Sequence, residues 1–483
     1  MGLVPVDTRL PPPNDGVRAW DSYNPDEQRL FTRLQSAFAA MLDHADQHLA
    51  RLVEFLEDAG LRENTLILVM SDNGASQEGG PQGFVNAMGP FNFRGEPMEE
   101  KIARIDDIGG PDTHSNFPQG WAMASNTPLR RYKQNTHGGG IRDPLVISWP
   151  AGVAARGEIR GRFAHASDLV PTLLEVIGIA PPDVVAGVPQ MPLEGESFAA
   201  SLSSPDAPPR AAPQYFEMFG HRGLWKEGWK AVAFHPPGRP FNDDRWELYN
   251  LDADFSETKD LAEREPERLA GLIADWWREA EAKQVLPLDD RFAPRFIENS
   301  VRYHGARNHF VLHAGMGHLP TDVAPDVRAR TYLIEADVRL SEGCEGVLLA
   351  HGDATSGYSL YLKDGHLHHT LNIGGEKTTV TSSRPVPLTA TRLGVVARRS
   401  EAGPRTFTLM IDGQADAEVT AAIGFNTFIS WSGLDIGLDR GSPVAGYPAP
   451  FAFTGVLRKV TVSMADDQTL DGEGVGAAEM ARQ

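Results

Sequence analysis

The sequence predicts an α/β domain towards the N-terminus, then a smaller α+β unit and an all-β sandwich. Three observations predict this order. A long amphipathic segment that ends at Gly60 leads into a continuous apolar run, the pattern of a helix followed by a buried strand. Residues 206–300 then contain strand-like runs and one amphipathic segment. After about residue 300, short segments alternate apolar and polar residues between turns, which is typical of sandwiches.

The domain boundaries follow these changes in pattern. Residues from Ala465 onwards are polar and rich in glycine, so we predict disorder there. We predict an α/β domain over residues 1–205 and an α+β unit over 206–300. A linker over 301–325, a sandwich over 326–464 and a disordered tail over 465–483 are predicted to follow.

Composition excludes several classes of protein. The 483 residues are enough for two or three domains, and a formal net charge of −20 argues against a nucleic-acid-binding surface. Cys344 is the single cysteine, so an internal disulfide or a cysteine zinc cluster is excluded, and we interpret Cys344 as a buried small apolar residue. We find no run of about 18 apolar residues and no secretory signal, which predicts a cytoplasmic protein without a membrane span.

A long helix is predicted to begin near Pro25 and to end before Gly60. Asn24-Pro25-Asp26-Glu27 places a proline near the first turn and acids at the positive end of the helix dipole, and glycine is a natural C-terminal stop. The apolar positions are spaced by three and four, which predicts one buried face. That face consists of Leu30, Leu34, Phe38, Met41, Ala45, Leu49, Leu52, Val53 and Leu56.

Two apolar runs are predicted to be strands of the α/β domain. Residues 65–70 form a short continuous run, which suits a strand buried on both faces of a parallel sheet. Residues 144–150 form the second run. Between them, residues 75–128 are rich in Gly, Pro and Asn and predict long surface loops, whereas residues 167–177 predict a helix.

The later elements are predicted in the same way. The α+β unit has strand-like runs over 214–219 and 229–234 and an amphipathic helix over 266–283. In the sandwich, Asp364-Gly365 and Asp412-Gly413 are typical hairpin turns. The strands predicted around them are residues 331–340, 358–362, 367–373, 393–397, 406–411 and 456–464.

The most informative polar site is Ser71-Asp72-Asn73-Gly74, where the first predicted strand ends. In open α/β sheets, ligands bind at the carboxyl ends of strands, and Asp and Asn oxygens are hard donors that suit Ca²⁺ or Mg²⁺. The same four residues are also typical of a turn or of a helix N-cap. Both interpretations stay open on this segment alone.

Lys133 is the second candidate, because a glycine-rich segment follows it at Gly138-Gly139-Gly140. A lysine near such backbone could bind an oxyanion through its charge and through N–H donors. The alternative is a solvated surface lysine beside an ordinary loop.

Five motifs stand in order over about residues 25–285. They are Asp72-Asn73-Gly74, Asn126-Thr127-Pro128 with Tyr132-Lys133, His137-Gly138-Gly139-Gly140-Ile141 leading into Pro144-Leu145-Val146, the segment from His165 to Glu175, and Trp246-Glu247-Leu248-Tyr249-Asn250-Leu251. Together they resemble the type I sulfatase (arylsulfatase) family. Gly138 stands where many relatives have Glu.

The resemblance implies an alkaline-phosphatase-like sheet and hydrolysis of a small sulfate ester or a sulfated glycan. It implies that Asp72 and Asn73 are ligands of Ca²⁺ rather than Mg²⁺, that Lys133 contacts the sulfate, and that His137 and His114 are active-site candidates. The family nucleophile is a formylglycine made from Cys or Ser in a C/S-x-P-x-R motif, supported by the metal and by cations. A phosphomonoesterase or phosphodiesterase of the same superfamily is an alternative that Lys133 and its glycine-rich neighbours disfavour.

The nucleophile motif does not occur in the sequence. Cys344 lacks the following proline and arginine, and Ser383 has Pro385 but lacks the arginine. The family's early Asp-Asp metal pair is absent too, so the resemblance implies that the N-terminal nucleophile segment is missing. We therefore expect that this chain alone is not a competent sulfatase and that residues 65–70 expose an unpaired sheet edge. A misplaced start, a split gene or a decayed gene would explain the missing segment, and a split gene would supply the other half as a partner.

A non-catalytic protein that binds a glycan through the sandwich is the alternative function. Tyr358, Tyr361, Trp431 and Tyr447 could line a sugar site, although core packing is the commoner use of such residues.

Five further histidines could suggest metal binding. His44 and His48 have the spacing of a metal pair on a helix, but we find no third ligand and interpret them as surface or packing residues. Strand alternation places His366 and His368 on one face and His369 on the other, and we expect a strand with solvated histidines.

Overall fold

The computed structural model describes residues 2–154, 157–400 and 403–482. The chain divides into two compact units, each assembled from separate stretches of sequence. The first unit comprises Met1–Arg18, Met41–Gln77 and Gly120–Asp290. The second unit comprises Ala19–Ala40, Glu78–Gln119 and Arg291–Gln483. Within the described ranges, no helix has the length and apolar character needed to cross a bilayer.

The secondary structure is mixed, with a β-rich C-terminal region. The α-helices α1 to α10 are Pro25–Asp58, Met88–Phe91, Met98–Ala103, Gln119–Ser125, Gly138–Ile141, Leu169–Ile177, Ala199–Ser203, Pro266–Ala282, Phe292–His304 and Gly472–Arg482. The strands β1 to β8 are Ile67–Met70, Leu145–Ser148, Val184–Val185, Val188–Pro189, Gln214–Met218, His221–Lys226, Trp229–Ala233 and Trp246–Asn250. The strands β9 to β19 are His309–Leu312, Tyr332–Arg339, Gly346–Gly352, Ser356–Lys363, His366–Ile373, Glu376–Thr381, Arg392–Arg399, Arg405–Ile411, Gln414–Ala421, Leu434–Ile436 and Val456–Met464.

Helix α1 begins and ends as predicted. The Asn24 side-chain oxygen accepts the Glu27 N–H at 2.9 Å, and the Glu27 carboxylate accepts the Asn24 N–H at 2.8 Å, which is a reciprocal cap. Gly60 closes the helix at φ 69°. The predicted buried face is wrong over the second half, since Met41 and Leu52 are 57% and 51% exposed. Periodicity shows which face of a helix is apolar, but it does not show whether another element covers that face.

Strands β1 and β2 form a two-stranded antiparallel sheet, with Met70 paired to Leu145 and Ile67 to Ser148. The prediction of a strand buried on both faces of a parallel sheet is therefore wrong for β1. Val69 is 39% exposed and Val146 is 59% exposed. An apolar run indicates a strand, whereas the direction of its neighbour depends on the path of the chain between them.

Residues 78–119 are more ordered than the predicted surface loops. They contain helices α2 and α3, and the side chains of Val85 and Met88 are fully buried. The Asn92 side chain donates to the Phe428 carbonyl at 2.9 Å and accepts the Asn426 N–H at 2.9 Å. Because these partners come from the C-terminal region of the same unit, the segment packs through contacts that local composition does not reveal.

In the first unit, β5 to β8 form a four-stranded antiparallel sheet in sequence order, and helix α8 packs against it. The Trp276 side chain is fully buried, and its indole N–H donates to the Phe216 carbonyl at 3.1 Å. The predicted strands over 214–219 and 229–234 and the helix over 266–283 are thus confirmed as β5, β7 and α8.

The second unit contains two larger antiparallel sheets with a shared apolar core. Their strand orders are β17-β16-β15-β10-β19-β9 and β14-β13-β12-β11-β18. Asp364-Gly365 connects β12 to β13 and Asp412-Gly413 connects β16 to β17, with positive φ at all four residues, as the hairpin signature predicts. Cys344 is buried in this core, as expected.

Two expectations for the C-terminal region are wrong. The predicted linker over 301–325 contains β9, which pairs with β19, and the predicted disordered tail over 465–483 contains α10. Val475 and Ala478 of α10 are 2% and 0% exposed. A glycine-rich segment with few apolar residues gives only a weak sequence signal for a helix. Those few residues are nevertheless enough to stabilise a helix when they pack against another surface.

Candidate functional site

The Asp72-Asn73-Gly74 turn lies directly after β1. Because Met70 pairs with Leu145 in antiparallel register, continuing the two strands brings Asp72 towards Asp143. Partial burial, and then the charge of Asp72, raise the pKa of Asp143 to about 6. The site therefore holds a second carboxylate that the sequence interpretation missed, and strand register is the signal that could have found it.

Hydrogen bonds join this turn to the segment around Lys133. The Lys133 N–H donates to the Ala75 carbonyl at 3.2 Å, and the Gly74 N–H donates to the Gly140 carbonyl at 3.3 Å. The Asn126 side-chain oxygen accepts the Ala75 N–H at 2.9 Å. The structure thus brings together two motifs that lie far apart in the sequence.

Asn126 and the small size of Gly139 fix the path of this segment. The Asn126 side-chain amide donates to the Arg131 carbonyl at 3.0 Å and to the Gly139 carbonyl at 2.9 Å. A Cβ atom on Gly139 would lie 2.2 Å from the Arg131 oxygen, and one on Gly74 would lie 1.7 Å from the Gly139 oxygen. Only glycine allows the backbones to approach so closely.

The Lys133 side chain is 4% exposed. This burial excludes the solvated surface lysine that was the alternative for this residue. An ammonium group is rarely buried unless polar or charged groups stabilise it, so Lys133 is held in place rather than free to sample solvent.

His137 lies at the N-cap of α5 and is 1% exposed. Its Nε2 atom lies 3.0 Å from a Glu247 carboxylate oxygen, and the Tyr249 hydroxyl donates to the same oxygen at 2.8 Å. Burial lowers the pKa of His137, although the Glu247 contact opposes this. His137 is therefore part of a buried polar network, and that network orients the loop that follows Lys133.

Glu257 is a second anchor of this loop that the sequence did not indicate. Its carboxylate accepts the Gly138 N–H at 2.9 Å and the Lys230 ammonium at 2.6 Å, and Glu257 and Lys230 are 1% and 3% exposed. Gly138 is thus contacted by a carboxylate from elsewhere in the chain. No local pattern could show this, because the contact is long-range.

The oxygen donors near the turn suit calcium in type but not in number. Asp72, Asn73 and Asp143 offer hard oxygens, and Ca²⁺ normally takes six to eight. In the part of the chain that the structure describes, no cluster of three or more His, Cys, Asp or Glu side chains could hold a metal. These residues fit part of a calcium site, and the other ligands would come from water, substrate or other protein groups.

The other candidate histidines have different partners. His114 belongs to the second unit, where its ring lies 4.1 Å from the Trp431 ring and burial lowers its pKa to about 4. His44 and His48 are exposed on α1, 3.1 Å apart at their Nε2 atoms.

The sandwich histidines alternate as predicted, but one of them is not solvated. His369 is 1% exposed and packs 4.8 Å from the Phe407 ring, whereas His366 and His368 are half-buried. The expectation of core packing holds for Tyr358, Tyr361 and Tyr447, which are 0%, 5% and 5% exposed. Trp431 is half-buried.

Comparison with known proteins shows what part of this chain is similar to. Residues 11–179 match the family model described as Sulfatase. An uncharacterized sulfatase of Schizosaccharomyces pombe is 28% identical over 302 residues, which cover 60% of this chain and 51% of the relative. The arylsulfatase of Klebsiella aerogenes is 30% identical over 201 residues, which cover 41% of each chain. Residues 11–179 therefore form a sulfatase domain.

The chain spans about half the length of the curated relatives it matches, 51% and 41% for these two. The mouse N-acetylgalactosamine-6-sulfatase is 23% identical over 207 residues, which cover 42% of this chain and 32% of the relative. Among solved structures, BT33336S-sulf of Bacteroides thetaiotaomicron matches with a TM-score of 0.32 and 18% identity, over 48% of this chain and 42% of the other. A score this low adds nothing about function.

Proposed function

We propose that the turn after β1 and the segment around Lys133 form the sulfate-binding part of a sulfate-ester hydrolase. One observation supports this most strongly: backbone hydrogen bonds join Gly74 and Ala75 to the segment that carries Lys133, whose side chain is 4% exposed. A buried lysine on a segment that is bonded to a turn with hard oxygen donors suits an anionic ester that is bound together with a cation.

We propose the following roles for the residues of this site. Asp72, Asn73 and Asp143 would hold Ca²⁺, which when bound would draw charge from the sulfate oxygens. The Lys133 ammonium would pair with those oxygens. Asn126 keeps the two loops together, and His137 orients its loop, because its Nε2 atom is engaged by Glu247.

The substrate class follows from the relatives and from this chemistry. The named relatives include an arylsulfatase and an N-acetylgalactosamine-6-sulfatase. We therefore propose a sulfate ester carried by a small aromatic alcohol or by a sugar. None of the 483 residues stands in a C/S-x-P-x-R motif, so we propose that this chain binds the ester but does not hydrolyse it unaided.

Binding of inorganic sulfate tests the assignment of Lys133. In isothermal titration with calcium present, Lys133→Met should weaken sulfate binding about tenfold or more, the cost of losing one charge-assisted contact. Lys259→Met, which removes an exposed lysine of the same unit, should leave the affinity unchanged. Equal affinity in wild type and Lys133→Met would reject the sulfate role.

Calcium binding tests the two carboxylates. Asp143→Asn should remove most of the rise in melting temperature that calcium gives the wild type, because one hard donor and one charge are lost. Without calcium the variant should be at least as stable as the wild type, since repulsion from Asp72 is relieved. Asp206→Asn, at an exposed position of the same unit, is the matched control. An unchanged calcium response in Asp143→Asn would remove Asp143 from the site.

Turnover tests the proposal that the chain is catalytically incomplete. The purified chain is incubated with 4-nitrophenyl sulfate and calcium, and release of nitrophenol is measured by absorbance. We expect no release above that of Lys133→Met. Robust turnover by the wild type alone would show that another nucleophile serves in this chain.

The glycan-binding alternative lacks a supporting observation. Tyr358, Tyr361 and Tyr447 fill cores of the second unit rather than an exposed platform. Sugar recognition by stacking needs an accessible aromatic face, which these three tyrosines do not provide.

A further inference from the structure

The second unit contains a buried lysine that has no role in the proposed function. Lys101, on helix α3, is 4% exposed. Its ammonium donates to the Gly83 carbonyl at 2.7 Å and lies 5.8 Å from the centre of the Phe84 ring. Lysine has three N–H donors, so these contacts leave donor capacity unused.

No carboxylate of the described residues pairs with this ammonium within salt-bridge distance. Glu96 exerts a favourable charge effect on it from farther away, but its two oxygens accept the Val85 and Asn86 N–H groups at 2.9 and 2.8 Å. Burial lowers the pKa of Lys101, and the charge of Glu96 opposes this only in part. The positive charge is thus incompletely compensated by the protein.

The Lys101 side chain forms part of the wall of a cavity of about 290 Å³. The cavity is also lined by residues 79–84, a glycine-rich loop. The volume is just below the range of ligand pockets, which run from about 300 to 1,000 Å³, so the cavity has room only for a small molecule or group.

The wall of this cavity is fixed by backbone hydrogen bonds. The Gly83 N–H donates to the Gly79 carbonyl at 2.8 Å, and the Gln119 N–H donates to the Gly80 carbonyl at 2.8 Å. Phe84 and Asn116 exchange backbone hydrogen bonds of 2.8 and 3.0 Å. Gly83 has φ 67°, and a Cβ atom there would lie 2.6 Å from the Asn116 oxygen, so the glycine is required for this path.

We propose that this cavity binds a small oxyanion, either a carboxylate or a sulfate-like group, through the ammonium of Lys101. A buried ammonium on a side chain that lines a cavity gains most from an anionic oxygen, because a charge-assisted contact in a partly desolvated place is stronger than one in water. The surrounding glycine backbone leaves room for the anion and brings no competing negative side chain. The site is independent of the proposed function, since Lys133 belongs to the first unit.

The first measurement uses the unaltered protein. Lysines are acetylated with a limiting reagent in sodium sulfate, in sodium acetate, and in sodium chloride at equal ionic strength, and peptides are quantified by mass spectrometry. We expect acetylation of Lys101 to slow by at least threefold in sulfate or acetate relative to chloride, while exposed Lys377 is unaffected. Because peptides resolve Lys101 from Lys133, this outcome does not depend on the site in the first unit.

The second measurement compares variants by titration with the same anion. Lys101→Met should abolish the heat of binding assigned to this cavity, and Lys377→Met should retain it. Protection by sulfate alone would assign a tetrahedral oxyanion, and protection by acetate alone would assign a carboxylate. Equal acetylation rates in all three salts would overturn the proposal, even if the Lys101→Met protein does not fold.

Discussion

The β1–β2 ribbon and the β12–β13 hairpin are both predicted strand pairs, and they lie in different environments. In β12, Leu360 and Leu362 are 0% and 2% exposed, whereas Val69 in β1 and Val146 in β2 are 39% and 59% exposed. The hairpin lies inside a five-stranded sheet with a second sheet facing it, and the ribbon has two strands. The difference shows that burial is set by the partners of a strand rather than by its own hydrophobicity.

This contrast has an energetic consequence. Burying a large apolar side chain contributes about 1.5–3 kcal/mol, so the hairpin gains this contribution several times and the ribbon gains it only in part. A two-stranded ribbon is marginal by itself in water. In this unit it is held through its ends, where the bonds from Gly74, Ala75 and Lys133 join it to the candidate site.

The largest expected effect lies in the hairpin. Leu360→Ala should lower the free energy of unfolding of the second unit by about 2–5 kcal/mol, because it leaves a cavity in a closed core. Urea unfolding followed by hydrogen exchange of the β12–β13 peptides measures this. Leu388→Ala, at a position 57% exposed in the same unit, should change it by less than about 0.5 kcal/mol. Similar losses in the two variants would mean that the hairpin is no better packed than the ribbon.

The next effect concerns pH and again separates the two regions. Burial lowers the pKa of His369, in β13, to about 3, well below the value of about 6.5 expected in the unfolded chain. The folded state therefore binds fewer protons than the unfolded state between these values. The contribution of His369 to the free energy of unfolding is fully present above about pH 6.5 and decreases as the pH falls towards 3. At pH 5 the loss should be about 2 kcal/mol relative to pH 7.

Unfolding of His369→Leu at the two pH values tests this origin. Between pH 7 and pH 5, the free energy of unfolding of the second unit should change by about 2 kcal/mol less in His369→Leu than in the wild type. His309→Leu, which replaces an exposed histidine of β9, should show the same change as the wild type. His351 is likewise buried, with a pKa lowered to about 3 by burial, so a residual pH dependence is expected. If His369→Leu kept the full dependence, the buried ring would not be its source.

The two regions also differ in how much the sequence could predict. Local chemistry was sufficient at Asn24, which caps α1, and at Asp364-Gly365, which turns the hairpin, because a few adjacent residues determine each structure. It was insufficient for the direction of β2, because that depends on residues 71–144 and on how they return. The same limit applies to the candidate site. Asp72, Asn73 and Lys133 were found by motif, whereas Asp143 and Glu257 are contributed by strand register and a long-range contact.

A smaller effect is expected where the ribbon meets the candidate site. Asn126→Ala removes three hydrogen bonds of 2.9 to 3.0 Å and leaves backbone groups without their partner. We expect a loss of about 1–3 kcal/mol, measured as faster hydrogen exchange of residues 72–75 and 130–140. Thr127→Ala, which removes a 3.3 Å side-chain bond at an exposed position, should cost less. Unchanged exchange in Asn126→Ala would show that the ribbon is stabilised by its apolar contacts after all.

The smallest effect on stability is expected on the ribbon itself. Val146→Thr replaces a side chain that is 59% exposed and keeps the β-branched shape, so the free energy of unfolding should change by less than about 0.5 kcal/mol. The same change should reduce self-association, because exposed apolar strands with open edges pair with other chains. Self-association is measured by light scattering as a function of protein concentration. The matched control is Val456→Thr, at a position 42% exposed at the start of β19. A large loss of stability in Val146→Thr with unchanged scattering would place this strand in a core, and the contrast with the hairpin would then disappear.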